Sequence, residues 1–420
     1  MIRFYNGRVL TMDGGVDVSE QEVWTDGSTI AYVGPAREDA PAFERQIDLN
    51  GDLLMPGFKD AHAHTAMTFL RSMADDLPLQ EWLFGRVIPL EGRLTPEDIY
   101  AFTRLGILEY LSSGITAAFD MYYHRAAIAQ AGLDSGFRTV LCGGSASYEI
   151  ISEEYKRFNS LSPLVRYVPG IHAEYTTSEE EFAAVQQLCR ENRAPCFAHN
   201  AETFDEVDQC LERRNGLSPT QYMESLGLFD YGGGGFHCIW FGDEDIEIFR
   251  RRGLWAVTCP GSNSKLASGI APISRFLKHE IPLAIGTDGA GSNNALDMFR
   301  EMYLACVLQK LRESSAAVCP PDEILKAACS GGALAMGLTD CDCIAPGKQA
   351  DLIVIDLHRP NMRPLLNIPK NLVYSGSKEN VRLTMVAGRV LYERGEFFVG
   401  EEPERLYETC QKRVEALLQA

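Results

Sequence analysis

The side chains best equipped for chemistry in this sequence are its histidines. There are eight, and five sit at the ends of short apolar runs. His62 and His64 close Met55-Pro56-Gly57-Phe58-Lys59-Asp60-Ala61-His62-Ala63-His64. His172 follows Tyr167–Ile171, His199 lies in Cys196–Glu202, and His237 lies in Phe236–Phe241. Asp288 ends a further run, Leu283–Asp288, and Glu202 follows His199 by three residues. Side chains two apart on an extended strand share a face, so His62 and His64 project together, as two ligands of one ion do. Neutral imidazoles with one carboxylate, and a position left for water, describe a catalytic site for zinc or a similar divalent metal.

Each of these residues has a plainer reading. A lone His-x-His pair is more often a turn cap beside a packed surface histidine. Asp288 is a candidate N-cap for a following helix, although Ser292-Asn293-Asn294 could serve as well. Glu202 could be an early helix acid favoured by the dipole. His237 emerges from Gly232-Gly233-Gly234-Gly235, which reads as a flexible turn, and a satisfied core histidine is its rival. The recurrence of polar residues at equivalent places favours the metal site. His124, His279 and His358 fall elsewhere and read as surface or structural.

Residues so far apart meet only if a fold gathers strand ends. The middle of the chain supplies eight apolar runs: Leu54–His64, Ile115–Met121, Thr139–Gly143, Tyr167–His172, Cys196–Glu202, Phe236–Phe241, Trp255–Pro260 and Leu283–Asp288. They are short and do not alternate, as expected of parallel strands buried on both faces. Helices with start signals intervene. Thr95-Pro96-Glu97-Asp98 offers an N-cap, a proline at the first position and early acids, and Ser178-x-x-Glu181 is a capping box. The pattern predicts an α/β (β/α)₈ TIM-like barrel over 55–340, with a doubly wound sheet as the alternative. Strand-and-turn chemistry at both ends, including 350–356 and 381–392, predicts a small β-sandwich domain assembled from 1–54 and 341–420. A closing helix is expected over Glu404–Leu418.

Composition narrows the partners. The chain has 420 residues, 45% of them hydrophobic, and Lys+Arg of 39 against Asp+Glu of 58 gives a net charge of −19. That excess of acid argues against nucleic acid or an anionic membrane and for a small-molecule substrate. No apolar run approaches the length of a membrane span, and the start does not resemble a signal sequence. The 12 cysteines are scattered through apolar contexts, with Cys341-Asp-Cys343 the only close pair and no second ligand pair in view. A reducing, cytoplasmic setting is expected.

The chain resembles the amidohydrolase superfamily in its cytosine-deaminase and chlorohydrolase branch, and within it the S-adenosylhomocysteine/5′-methylthioadenosine deaminases. The likeness is carried by Pro56-Gly57-Phe58 with His62-Ala63-His64-Thr65, Asp75–Leu83, His199-Asn200-Ala201-Glu202-Thr203, Phe236-His237-Cys238, Cys259–Leu266, and Gly286-Thr287-Asp288-Gly289-Ala290. The resemblance implies one divalent ion per chain, Zn²⁺ or Fe²⁺, on His62, His64, His199 and Asp288. Relatives with two metals bridge them with a carboxylated lysine on the fourth strand, where this chain has none. It further implies Glu202, His237 and Asp288 as catalytic groups, and Trp82, Glu91, His172 and Glu202 as substrate contacts. The implied reaction is deamination of an adenosine-type nucleoside, with homo-oligomers common among such relatives. The alternatives are another amino-heterocycle of guanine, cytosine or triazine type, or a non-catalytic scaffold of the same fold. Relatives that hold a homocysteine tail tend to carry arginine after the third strand. Here Leu141-Cys142-Gly143-Gly144-Ser145 has none, so a neutral nucleoside is expected.

Overall fold

The computed structural model describes residues 1–73 and 75–419. Eight parallel strands run in chain order around a barrel: β1 Phe58–Ala63, β2 Ile115–Met121, β3 Arg138–Gly143, β4 Val165–Ile171, β5 Cys196–Asn200, β6 Gly233–His237, β7 Trp255–Thr258 and β8 Leu283–Ile285. The circle closes where Asp288, just past β8, bridges in parallel to Ala63 and its N–H donates to the His62 carbonyl at 2.9 Å. Closure thus sets the last acidic residue beside the first two histidines. Phe119, Phe197 and Phe236 fill the barrel interior with Val140, Val168 and Val257, a packed floor rather than a pore.

Two predicted strands begin well away from the expected residue, whereas the others start within a residue or two of it. The run from Leu54 divides at Gly57: Leu53–Pro56 joins a terminal sheet, and only Phe58 onward enters the barrel. A Cβ at Gly57 would lie 2.2 Å from Thr116 Cγ2, so the crossing needs glycine. The sixth strand lies earlier than Phe236–Phe241, because three of the glycines read as a turn are its body. A Cβ at Gly234 would stand 2.2 Å from the Trp255 carbonyl oxygen, a neighbour-strand approach that admits no side chain.

The helices start where their caps lie. Thr95 and Ser178 both form complete capping boxes, opening helices Pro96–Ser112 and Glu179–Asn192. The terminal helix spans Pro403–Gln419. Strands from both ends of the chain make a seven-stranded and a four-stranded sheet. Phe4, Val9, Val23, Leu54, Leu352, Val354 and Leu383 pack in one apolar cluster between them. Arg138 of β3 grips Asp351 with Nε at 2.8 Å and Nη2 at 3.0 Å, tying the barrel to the terminal sheets through a fully buried pair. Among the described residues no helix is long and apolar enough to cross a membrane.

Candidate active site

His62, His64, His199, His237 and Asp288 converge at the C-terminal end of the barrel. The side-chain ligand atoms of His62, His64 and His199 lie within 4.8 Å of one another, as do those of His62, His237 and Asp288. His62 is fully buried and stacks on Phe236, with ring centroids 3.9 Å apart. Two of the site's residues, His237 and Asp288, have left-handed backbones, with φ of 68° and 61°. Side chains other than glycine seldom adopt that region, and such strain persists where surrounding bonds fix it. Here those include the Asp288–His62 bond at barrel closure and the Cys238 N–H donating to the Asn200 carbonyl.

Hydrogen bonds fix which imidazole nitrogens face inward. His64 Nδ1 meets the Met121 carbonyl at 2.5 Å and His199 Nδ1 meets the His172 carbonyl at 2.7 Å. A carbonyl only accepts, so both Nδ1 atoms carry the proton and both Nε2 atoms present lone pairs. Those two Nε2 atoms stand 3.4 Å apart, and His64 Nε2 is 3.2 Å from Asp288 Oδ1. Three acceptors converge, and both nitrogens of His62 are buried without a partner. Tetrahedral ligands about 2.1 Å from one ion stand about 3.4 Å from each other, so the donor set fits a divalent cation. Burial first, then the neighbouring histidines, holds His62 and His199 well below the usual imidazole pKa, the neutral form that ligation requires.

Asp288 stays ionised. Burial opposes this, but His64 and His237 outweigh it, and Ser262 and Ser292 donate to Oδ2 at 2.5 and 2.9 Å. Its pKa falls below the usual carboxylate value, and Oδ1 is left to face the histidines. The following helix, Met298–Arg312, is capped by Asp297, which disposes of an N-cap role for Asp288.

Glu202 is likewise no helix acid. The helix after β5 begins at Phe204 on the N-cap Thr203. It is Glu206 that reaches back, taking the N–H groups of Ala201 and Glu202 at 3.0 and 2.8 Å. Glu202 turns to the cavity. Burial raises its pKa, Ser268 Oγ donates to its Oε1 at 3.1 Å, and Oε2 lies 3.7 Å from His237 Nε2. His237 Nδ1 donates to Asn263 Oδ1 at 2.7 Å. Burial disfavours its charged form, yet Glu202 and Asp288 carry its pKa above the ordinary value.

A cavity of about 580 Å³ opens over this cluster, walled by Trp82, Glu91, Tyr122, His172, Glu202 and Asp288 among others. Trp82 is both wall and core: its ring is buried and its Nε1 donates to the Gly291 carbonyl at 3.3 Å. Burial drops His172 to about 4, leaving it neutral. Glu91 and Tyr122 stand side by side: burial raises the Glu91 pKa and the Tyr122 hydroxyl partly offsets that rise, yet neither Glu91 Oε1 nor the Tyr122 hydroxyl has a well-formed hydrogen bond.

Sequence reasoning missed several contributors. Tyr122 directly follows β2, so the strand-end logic applied to the histidines would have found it. Ser262, Asn263, Ser268 and Ser292 carry no local signal. His124, read as surface or structural, is exposed at the cavity wall, where it takes the N-cap position of helix Arg125–Ser135 with a left-handed backbone and no side-chain capping bond. The absence of arginine after β3 is also offset. Arg125 is the one lysine or arginine among the described residues lining the cavity. Its Nη1 would stand 2.7 Å from a Cβ at position 143, so Gly143 admits the guanidinium, which Glu154 anchors at 2.7 Å.

A barrel of eight parallel strands with histidines and an aspartate at its C-terminal rim is the architecture of a metal-dependent hydrolase. The chain belongs to the amidohydrolase family, whose profile matches residues 53–391. It is 37% identical to a 5-methylthioadenosine/S-adenosylhomocysteine deaminase of Pelotomaculum thermopropionicum, over 96% of each chain. It is 34% identical to a 5′-deoxyadenosine deaminase of Methanosarcina mazei, over 98% of this chain and 97% of that one. A crystal structure of an adenosine deaminase from Xanthomonas campestris with bound zinc superposes with a TM-score of 0.94 at 29% identity, covering 100% and 99% of the two chains.

Proposed function

We propose that this protein is a metal-dependent deaminase that converts an adenosine-type nucleoside and water into the inosine analogue and ammonia. The observation that carries the reading is the placement of Glu202. It is a buried carboxyl with raised proton affinity, one oxygen anchored and the other turned toward the cage of histidines. A carboxyl poised to give and take a proton is what attack on an aromatic amidine needs. The relatives named for adenosine compounds support the substrate class.

His62, His64, His199 and Asp288 would hold one divalent ion, zinc by likeness to the zinc-bound relative. When bound, such an ion acidifies the attacking water. Asp288 accepts the water's proton. His237, its Nδ1 committed to Asn263, orients that water through Nε2. Glu202 protonates the ring nitrogen beside the attacked carbon, so that the C–O bond forms as the ring π-bond opens. The proton held by Asp288 then passes to the amino group, the C–N bond breaks as ammonia leaves, and the hydroxyl proton on the attacked carbon returns to Glu202 as the product carbonyl forms. Trp82 and His172 line the base, and Glu91 with Tyr122 takes the ribose hydroxyls, which would satisfy two otherwise unpaired buried oxygens.

Arg125 widens the substrate range. A 5′-deoxy or 5′-methylthio nucleoside fits the apolar wall of Leu83, Phe84 and Ile88. A carboxylate-bearing 5′ tail finds a guanidinium at the cavity edge, so neutral substrates are not the sole class. The barrel, from Phe58 onward, carries the chemistry, and the composite domain of the two chain ends, which takes in Leu53–Pro56, braces it through Asp351. The 12 cysteines are all buried and free, which supports a cytoplasmic setting. The test is stoichiometry: one ammonia and one hypoxanthine nucleoside per adenosine compound consumed. Ammonia without a hypoxanthine product would overturn the assignment.

A further inference from the structure

We propose that Ser268 is a positioning residue that selects which oxygen of Glu202 carries the proton. The inference rests on the deaminase reading above. A glutamate carboxyl turns readily about its last torsion, where rotamers are broad, so burial alone does not assign its two oxygens. Ser268 does: its Oγ donates to Oε1 at 3.1 Å, leaving Oε2 as the oxygen 3.7 Å from His237 Nε2. A hydroxyl donating to Oε1 disfavours a proton there, which places the mobile proton on Oε2, beside the site of attack.

Ser268 is itself held on both sides of its backbone. Its carbonyl accepts from Trp240 Nε1 at 2.8 Å, and its N–H donates to the Asn263 carbonyl at 2.9 Å. The N–H groups of Ile239 and Trp240 donate to the carbonyl of Ala201, the residue before Glu202, at 3.1 and 2.9 Å. The circuit therefore runs from the Ala201 carbonyl through Trp240 to Ser268 and on to the Glu202 side chain. Asn263 joins it to His237, so one short segment orients both groups. Gly269, with φ of 131°, permits the close turn, since a Cβ there would meet Ile239 Cγ2 at 2.8 Å.

The test is steady-state kinetics on metal-loaded Ser268→Ala, Ser268→Thr and Trp240→Phe with 5′-deoxyadenosine, beside metal content and Tm. Losing a hydrogen bond to this protonated carboxyl predicts a fall in kcat of about twofold to tenfold for Ser268→Ala. KM, metal per chain and Tm should stay near wild type. Ser268→Thr, which keeps the hydroxyl, should recover most of kcat, and Trp240→Phe should lose kcat to a smaller degree. Should Ser268→Ala fail to fold, Trp240→Phe against wild type carries the same comparison. An unchanged kcat in Ser268→Ala, or a loss confined to KM or metal content, overturns the inference. If wild type itself releases no ammonia from any adenosine compound, the underlying reading falls instead.

Discussion

The two unpaired oxygens in the cavity wall make a quantitative prediction about the sugar. Glu91 Oε1 and the Tyr122 hydroxyl are buried and adjacent, and neither has a well-formed hydrogen bond. Leaving one buried polar group unsatisfied costs about 1–3 kcal/mol, and about 1.4 kcal/mol is a factor of ten. A ribose hydroxyl that pairs with them therefore contributes about fivefold to 150-fold. Deleting it, as in 2′,5′-dideoxyadenosine against 5′-deoxyadenosine, should lower kcat/KM by that factor in wild type. Tyr122→Phe removes the enzyme's hydroxyl, so the ratio between the two substrates should shrink by about fivefold, a net hydrogen bond of about 1 kcal/mol. The fourfold comparison of enzyme and substrate isolates the pair from general packing effects. Ammonia release under kcat/KM conditions is the assay. Equal kcat/KM for the two nucleosides in wild type, with 3′-deoxy compounds equally good, would refute ribose recognition by this wall.

Three further outcomes follow from named contacts. Glu202→Gln should keep its metal and lose about a hundredfold to ten-thousandfold in kcat; loss of metal, read by elemental analysis, would place Glu202 among the ligands instead. Arg125→Ala should raise KM for S-adenosylhomocysteine while leaving 5′-methylthioadenosine near wild type, and equal effects on both would remove Arg125 from substrate recognition. Asp351→Asn strands the buried Arg138 guanidinium and should cost about 3–5 kcal/mol in denaturant unfolding. Burial opposes ionisation of Asp351, but Arg138 and Lys59 hold its pKa below its ordinary 3.8. Its contribution is thus fully present above that value and is lost as pH falls through the lower folded pKa. The acid limb of wild-type stability should therefore be steeper than that of the variant, and parallel acid limbs would contradict the role.

Much of the architecture was legible because parallel strands buried on both faces write themselves as plain apolar runs. Ile115–Met121 was legible to the residue, and the N-cap at Thr95 and the capping box at Ser178 marked two helices correctly. The glycine run before His237 misled, because glycine signals both a free turn and a strand too crowded for a Cβ, and sequence does not separate the two. The cage of His62, His64, His199, His237 and Asp288 was legible for a different reason: a barrel converts strand-end position into proximity. Ser262, Ser292, Asn263 and Ser268 were not, since a hydroxyl or amide acquires its role only from the tertiary approach of the group it serves. Arg125 escaped for the same reason. The segment after β3 holds no arginine, and the guanidinium enters instead from the helix before it, through the space Gly143 leaves open.

The central claim is that this cavity deaminates adenosine-type nucleosides with the help of an ion held by His62, His64, His199 and Asp288. Its most direct test measures ammonia release by the metal-loaded protein from 5′-deoxyadenosine, 5′-methylthioadenosine, adenosine, S-adenosylhomocysteine, guanine, cytosine and an aminotriazine, repeated after chelation. Turnover of the adenosine compounds should lie well above that of the bases and the triazine, be lost on chelation and be restored by about one divalent ion per chain. Turnover of guanine, cytosine or the triazine with none of the adenosine compounds, or activity indifferent to chelation with no ion bound, would contradict it.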